Sequence, residues 1–254
     1  MGGALAKAVS RTGLAQIFLY DKSENAAQSM ARETGGDVAD MQGIARRCDF
    51  IFLGVKPNII EQVLGQIKGE LSARQGYTLI SMAAGVSIEK IEAALGFKAP
   101  VIRIMPNTPV SVGEGMILWC SSDKVTVSAE DRFLELMSMA GKTDRLEERL
   151  IDAASAISGC GPAFAYMFME ALADGGVECG LPRDKAMVYA EQMLLGAARC
   201  ALEYEKNPAA LKDAVCSPGG TTIAGVHALE NGAFRASVMN AVVAAYEKTL
   251  KIGK

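Results

Sequence analysis

The chain changes rhythm near Leu146, and that change constrains its fold more than any single residue does. Before it, apolar runs of strand length alternate with amphipathic stretches; after it the β-rich runs stop, and Ala, Met and Leu recur at helical spacing. Strands separated by helix-length segments cannot be joined by hairpins and must cross over in parallel. Residues 1–146 therefore read as a doubly wound α/β domain and residues 147–254 as an all-α domain. Strands are expected at Gln16–Tyr20, Phe50–Val55, Thr78–Ala83, Val101–Met105 and Met116–Cys120. Helices are expected at Asn58–Lys68, Ile88–Leu95 and Ala129–Met139, with Ser87 and Ser128 as N-caps that accept from free N–H groups.

Gly159-Cys160-Gly161-Pro162, Gly180-Leu181-Pro182, Asn207-Pro208 and Ser217-Pro218-Gly219-Gly220 punctuate the second part, because glycine and proline end helices and start new ones. The helix expected from Pro162 to Glu178 carries Phe164, Met167, Phe168, Ala171, Leu172 and Gly175, an apolar surface broader than one partner helix covers. A homodimer that buries it is the natural inference, with an ordinary intramolecular core as the other reading.

Half of the 254 residues are hydrophobic, enough to build cores for two domains. The formal net charge of -3 and the lack of a basic run argue against a nucleic-acid partner. No run approaches the roughly 18 apolar residues needed to span a bilayer, and Met1-Gly2-Gly3-Ala4 lacks a charged leader, so a cytoplasmic protein is expected. Six cysteines (Cys48, Cys120, Cys160, Cys179, Cys200 and Cys216) lie far apart, and His227 is the sole histidine; reduced structural thiols and no metal site follow.

Met1-Gly2-Gly3-Ala4 reads as a helix start, with glycines where a helix closely approaches a strand or a phosphate. Asp21 follows Gly2 by 19 residues, close to the separation between a dinucleotide-binding glycine turn and the acid that holds ribose hydroxyls. Gly54-Val55-Lys56-Pro57 brings a lysine to the carboxyl edge of the sheet, where open α/β sheets bind ligands. Pro57 fixes the turn that aims it. Arg103-Ile104-Met105-Pro106-Asn107-Thr108-Pro109 leaves another strand at the same edge and holds Asn107 between two prolines. In the helical part, Ser217-Pro218-Gly219-Gly220-Thr221-Thr222 places free N–H groups and hydroxyls at a helix start, which suits a carboxylate. A structural cap is the plain alternative for Thr221 or Thr222.

Over nearly its whole length the chain resembles the pyrroline-5-carboxylate reductases. The matching stretches are Gly54–Pro57, Arg103–Pro109, Ser158–Phe164, Ala173–Gly176, Gly180–Arg183 and Val215–Glu230. The resemblance implies a Rossmann-like dinucleotide-binding domain and a helical dimerisation and substrate domain that interlocks with its mate, so that the site lies between subunits; dimers often form rings. It implies NADPH or NADH as cofactor, with Gly2, Asp21, Lys22, Val55, Lys56, Pro57 and Asn107 on the cofactor side. Thr222 would meet the ring nitrogen of a cyclic imino acid, and Ser217, Gly219, Gly220 and Thr221 would form the loop that holds its carboxylate. Cys160 departs from the family, where serine is more usual. The resemblance also implies that the sheet's first strand, with its G-x-G-x-M-G turn, is missing ahead of Gly2, leaving Gln16–Tyr20 and Thr78–Ala83 without their shared neighbour.

The chemistry fits this residue set. A protonated imine already accepts hydride at carbon, so orientation rather than a strong acid is the main demand. Two other readings stand beside it. A related imine reductase or β-hydroxyacid dehydrogenase would need a catalytic lysine in the helical part, where Lys185 and Lys212 are the interior candidates. A non-catalytic relative would keep the fold without turnover.

Overall fold

The structure is a computed structural model that describes residues 1–204 and 206–252. The chain divides into two compact units, Met1–Cys160 with Ala245–Lys254, and Gly161–Ala244.

The first unit opens with α1 (Gly2–Thr12), β1 (Phe18–Leu19), α2 (Glu24–Thr34), β2 (Asp37–Val38), α3 (Met41–Arg47) and β3 (Phe50–Leu53). It continues through α4 (Ile60–Ser72), β4 (Thr78–Ser81), α5 (Ile88–Leu95), β5 (Val101–Pro106), β6 (Gly115–Ser121), α6 (Val127–Met137), β7 (Gly141–Arg145) and α7 (Glu148–Ser158). Strand pairing is parallel except between β5 and β6, which run antiparallel with Arg103 opposite Cys120. The connection between β5 and β6, residues 107–114, holds only the 3-10 turn Thr108–Val112 and no α-helical crossover, which allows that reversal.

Every expected strand is present, though Gln16–Tyr20 shrinks to β1 alone. The polar β2 and β7 carried no apolar signal and are strands by pairing only. Ser87 caps α5 as expected, accepting from Lys90 N at 3.2 Å. The expected cap at Ser128 is instead Thr126, which accepts from Ala129 N, so α6 starts two residues before the expected Ala129. A short 3-10 turn, Pro57–Ile59, replaces the first turn of the helix expected at Asn58, because Pro57 sits where the chain leaves the sheet.

The strands form two sheets, β1-β2 and β3-β4-β5-β6-β7. Thr78–Ser81 has partners on both sides, so it does not lack a neighbour as the sequence implied. The strands with one neighbour each that border a common cavity are β1 and β3. The physical reason is β2, a two-residue strand with no apolar run to mark it, which shifts that position from β4 to β3.

Both faces of the larger sheet are covered, which makes its strands apolar throughout. Leu79, Val101, Met105 and Leu118 point into a core shared with Leu64, Ile67, Ile91 and Ile151 of α4, α5 and α7. Their neighbours Ile80, Ile102, Ile104, Ile117 and Trp119 point the other way, against Leu5, Ala8 and Val9 of α1 and Phe133 and Met137 of α6. Each such fully buried side chain contributes about 1.5–3 kcal/mol. The expected domain boundary at 146/147 falls at the start of α7, whose Ile151 lies in the first of these cores.

The second unit is wholly helical among the described residues: α8 (Gly161–Glu178), α9 (Arg183–Tyr204), α10 (Pro208–Ala214), α11 (Thr221–Asn231) and most of α12 (Phe234–Ile252). Gly180, at φ +94°, turns the chain between α8 and α9, and Gly176 packs on Ala186 where a side chain would crowd it. Its buried residues are Ala173, Ala186 and Ala190, while Tyr166, Met167, Val188, Tyr189, Met193, Leu195 and Met239 are exposed in the single chain. A unit of that size with three buried alanines has little core of its own.

Candidate active site

The carboxyl edge of the first unit brings several expected residues together. α1 begins without a side-chain cap, and Leu5 N donates to Met1 O, so the N–H groups of Gly2, Gly3 and Ala4 have no helical partner. They form a helix N-terminus that favours an anion. Gly2 lies against Gly54 at the end of β3: a side-chain carbon on Gly54 would sit 3.4 Å from the Gly2 Cα. Glycine at both positions lets helix and strand backbones meet. Gly2, Asp21, Lys22, Val55 and Lys56 line one cavity of about 1920 Å³, with Asp21, Lys22 and Lys56 exposed.

Asp21 is held in a local turn, where Ser23 N donates to its Oδ1 at 2.9 Å. Ser23 caps α2 by accepting from Ala26 N. Pro57 and Asn107 do not line this cavity. Asn107 is buried, with 8% of its surface accessible, and its amide is bonded at both ends. Nδ2 donates to Ser158 O at 2.9 Å, and Oδ1 accepts from Met116 N at 2.8 Å. One amide hydrogen is left to point elsewhere.

In the second unit, the loop before α11 is built around its glycines. Gly220 N donates to Ser217 O at 3.0 Å, Gly219 takes φ +67°, and a side-chain carbon on Gly220 would fall 2.3 Å from Ser217 Oγ. Gly220 is the N-cap and bonds nothing through a side chain, so the N–H groups of Thr221, Thr222 and Ile223 are free at the start of an 11-residue helix. Both threonines are exposed, and neither hydroxyl is used for capping. Ser217, Gly219, Gly220, Thr221 and Thr222 thus share one loop and one helix start with unspent donors.

His227 bonds within its own helix, with Asn231 Nδ2 donating to its Nε2 at 3.1 Å. Lys212 pairs with Asp213, and Lys185 lies exposed at the start of α9, so neither has the buried setting of a catalytic lysine. All six cysteines are unbridged. Burial, aided by the nearby Glu148 carboxylate, pushes the Cys120 thiol up to about 11, and burial also raises Cys48. Both stay protonated near neutral pH and are poor nucleophiles. No cluster of three or more His, Cys, Asp or Glu able to hold a metal occurs among the described residues, and no helix there is long and apolar enough to cross a membrane.

A family model for pyrroline-5-carboxylate reductase dimerisation matches residues 148–252, and one for coenzyme F420-dependent NADP oxidoreductases matches residues 1–85. The bovine pyrroline-5-carboxylate reductase 2 is 45% identical over 82% of the chain, which spans only 65% of that relative's length. The Escherichia coli pyrroline-5-carboxylate reductase is 37% identical over the whole chain and 93% of its own length. Among solved structures, a Plasmodium falciparum pyrroline carboxylate reductase with NADP bound superposes with a TM-score of 0.90 at 35% identity, covering 100% of this chain and 95% of that one. Identity at this level, sustained across the Rossmann-like sheet and the helical unit alike, places the chain in the pyrroline-5-carboxylate reductase family.

Proposed function

We propose that the protein reduces 1-pyrroline-5-carboxylate to proline by hydride transfer from NADPH or NADH. The single observation that carries the proposal is the 37% identity to the E. coli pyrroline-5-carboxylate reductase across the entire chain. The unspent donors at the start of α11 supply the chemical support.

The carboxyl edge of the first unit fits a dinucleotide. The free N–H groups of Gly2, Gly3 and Ala4 suit a pyrophosphate, and the Gly2–Gly54 approach keeps that helix start clear of side chains. Asp21 and Lys22 stand where the ribose hydroxyls would be read, Val55, Lys56 and Pro57 border the strand end, and the remaining N–H of Asn107 is the group left for a cofactor. When bound, a reduced nicotinamide supplies the hydride.

The loop Ser217–Thr222 does the rest with neutral groups. Its N–H donors at Thr221 and Thr222 hold the substrate carboxylate without a cation that would repel the protonated imine. The Thr222 hydroxyl accepts from the imine N–H, which fixes the ring and favours the charged, hydride-accepting form. Fixing the acceptor carbon in this way lowers the barrier by up to roughly 7–11 kcal/mol in the best oriented cases.

The exposed apolar side chains of the helical unit, Tyr166, Met167, Val188, Tyr189 and Met193 among them, are proposed to pack against a second copy of the chain, with dimers joining into larger rings in the cytoplasm. The test is direct: loss of absorbance at 340 nm with pyrroline-5-carboxylate and either NADPH or NADH. Turnover well above the enzyme-free rate is expected, and none with either cofactor refutes the activity.

A further inference from the structure

Arg103 is the most deeply buried charge among the described residues, with 2% of its surface accessible, and it faces two carboxylates one helical turn apart on α7. Its Nη1 donates to Glu148 Oε1 at 3.4 Å and its Nη2 to Asp152 Oδ1; Nε has no hydrogen-bond partner among the described residues. Glu148 Oε1 also accepts from Ile88 N, the first residue of α5. These bonds pin the first half of α7 to the sheet. The last residue of α7 is pinned separately, because Ser158 O accepts from Asn107 Nδ2. Asn107 Oδ1 in turn accepts from Met116 N, tying the exit of β5 to the start of β6. Between those two points runs the loop through Thr108–Val112, and its Val110 is fully buried in the cluster that holds Leu5, Ala8 and Val9 of α1. A continuous chain of bonds and packing therefore leads from Arg103, through α7 and Asn107, to the helix whose N-terminus opens the carboxyl edge.

We propose that Arg103 is a positioning residue: acting through α7, it sets the Ser158–Asn107–Met116 latch, and the latch sets the loop against α1 and so the cofactor edge. A buried guanidinium with two hydrogen-bonded carboxylates is a rigid fork, whereas lysine is a single point charge on a flexible stem. Loosening the fork lets α7 shift, and Ser158 then no longer meets Asn107 at bonding distance.

The Met116 amide reports the latch, since its one hydrogen bond in the site is to Asn107. Arg103→Lys and the milder Asp152→Asn, made in the full chain, would be compared with the parent by amide exchange and by NADPH fluorescence titration. Expected are an increase of about tenfold or more in Met116 exchange and a Kd for NADPH weaker by about tenfold, with β3 and β4 amides unchanged. In an Asn107→Ser background the same substitutions should add nothing further, as positions in one pathway do. Faster exchange confined to α7, with Met116 protected as before, overturns the proposal and leaves Arg103 as an anchor of α7 alone. The affinity arm rests on the cofactor reading above; a parent that binds no NADPH refutes that reading, while Met116 exchange still decides the latch.

Discussion

Thr222→Ala separates catalysis from architecture at the start of α11. The residue is exposed, its hydroxyl does not cap the helix, and the N-cap is Gly220. Removing the hydroxyl therefore breaks nothing in the folded chain. Alanine also has the better helix propensity, by up to roughly 0.7 kcal/mol. For a chain of this size that moves Tm up by about 1–3 °C or not at all. The reaction should respond in the opposite direction. One hydrogen bond to a charged partner is worth about 1.5–3 kcal/mol, and its loss in the transition state lowers kcat and kcat/KM together by roughly ten- to a hundredfold. The Kd for NADPH should barely move, because the hydroxyl does not belong to the cofactor edge. Thr222→Ser, which keeps the hydroxyl, should retain most of the activity. The assay is steady-state oxidation of NADPH with pyrroline-5-carboxylate, run beside a thermal melt of the same preparation. Normal turnover in the alanine variant refutes the catalytic role, and a lower Tm with normal kinetics shows that the residue is a cap instead, a loss of about 1 kcal/mol.

Gly220→Ala should act through geometry, since its new side-chain carbon would meet Ser217 Oγ at 2.3 Å and Ser217 O at 3.1 Å; the expected outcome is a loss of kcat/KM larger than that of Thr222→Ala, with a folded chain by circular dichroism. Asp21 should repel the 2′-phosphate of NADPH, so the protein is expected to prefer NADH or to use both, and Asp21→Ser should shift the ratio of kcat/KM values toward NADPH by roughly tenfold; a parent already tenfold better with NADPH contradicts this. Cys120 makes a prediction about alkaline stability. Its folded-state thiol, at about 11, lies above the reference value of 9.0, so the folded chain holds a proton that the unfolded chain releases. Its contribution is complete below about pH 9 and is lost as pH rises toward 11. Denaturant midpoints at pH 8 and pH 10.5 should therefore converge in Cys120→Val relative to the parent, and an identical pH slope in the two proteins counts against the assignment.

The sequence by itself determined the two-part architecture. Helix-length segments between apolar runs demand parallel crossovers, and an Ala-, Met- and Leu-rich stretch at helical spacing has no other regular structure to adopt. It also placed the glycine–threonine loop at a helix start, where Gly219 takes a positive φ and Gly220 leaves no room for a side chain against Ser217. The cap of α5 was legible at Ser87, whereas that of α6 lies at Thr126, two residues before the expected Ser128.

Tertiary structure alone decided the remainder. β2 (Asp37–Val38) and β7 (Gly141–Arg145) are edge strands without an apolar run, whose strand state comes from a neighbour's ladder, a partner that no local pattern encodes. The antiparallel turn of β6 against β5 likewise depends on pairing, since an apolar run reads the same in either direction. Asn107 shows the same limit at the site. Its two flanking prolines mark a rigidly held amide, but only the fold supplies the partners that hold it, Ser158 and Met116, 51 and 9 residues away. Arg103 looked like part of a motif and proved to be a buried fork on α7, because its partners Glu148 and Asp152 come from a helix at the far end of the unit's sequence. Propensity and periodicity are properties of neighbours along the chain; a side chain's partner is chosen by packing, and only the folded unit brings residues 45 and 49 apart within reach of one guanidinium.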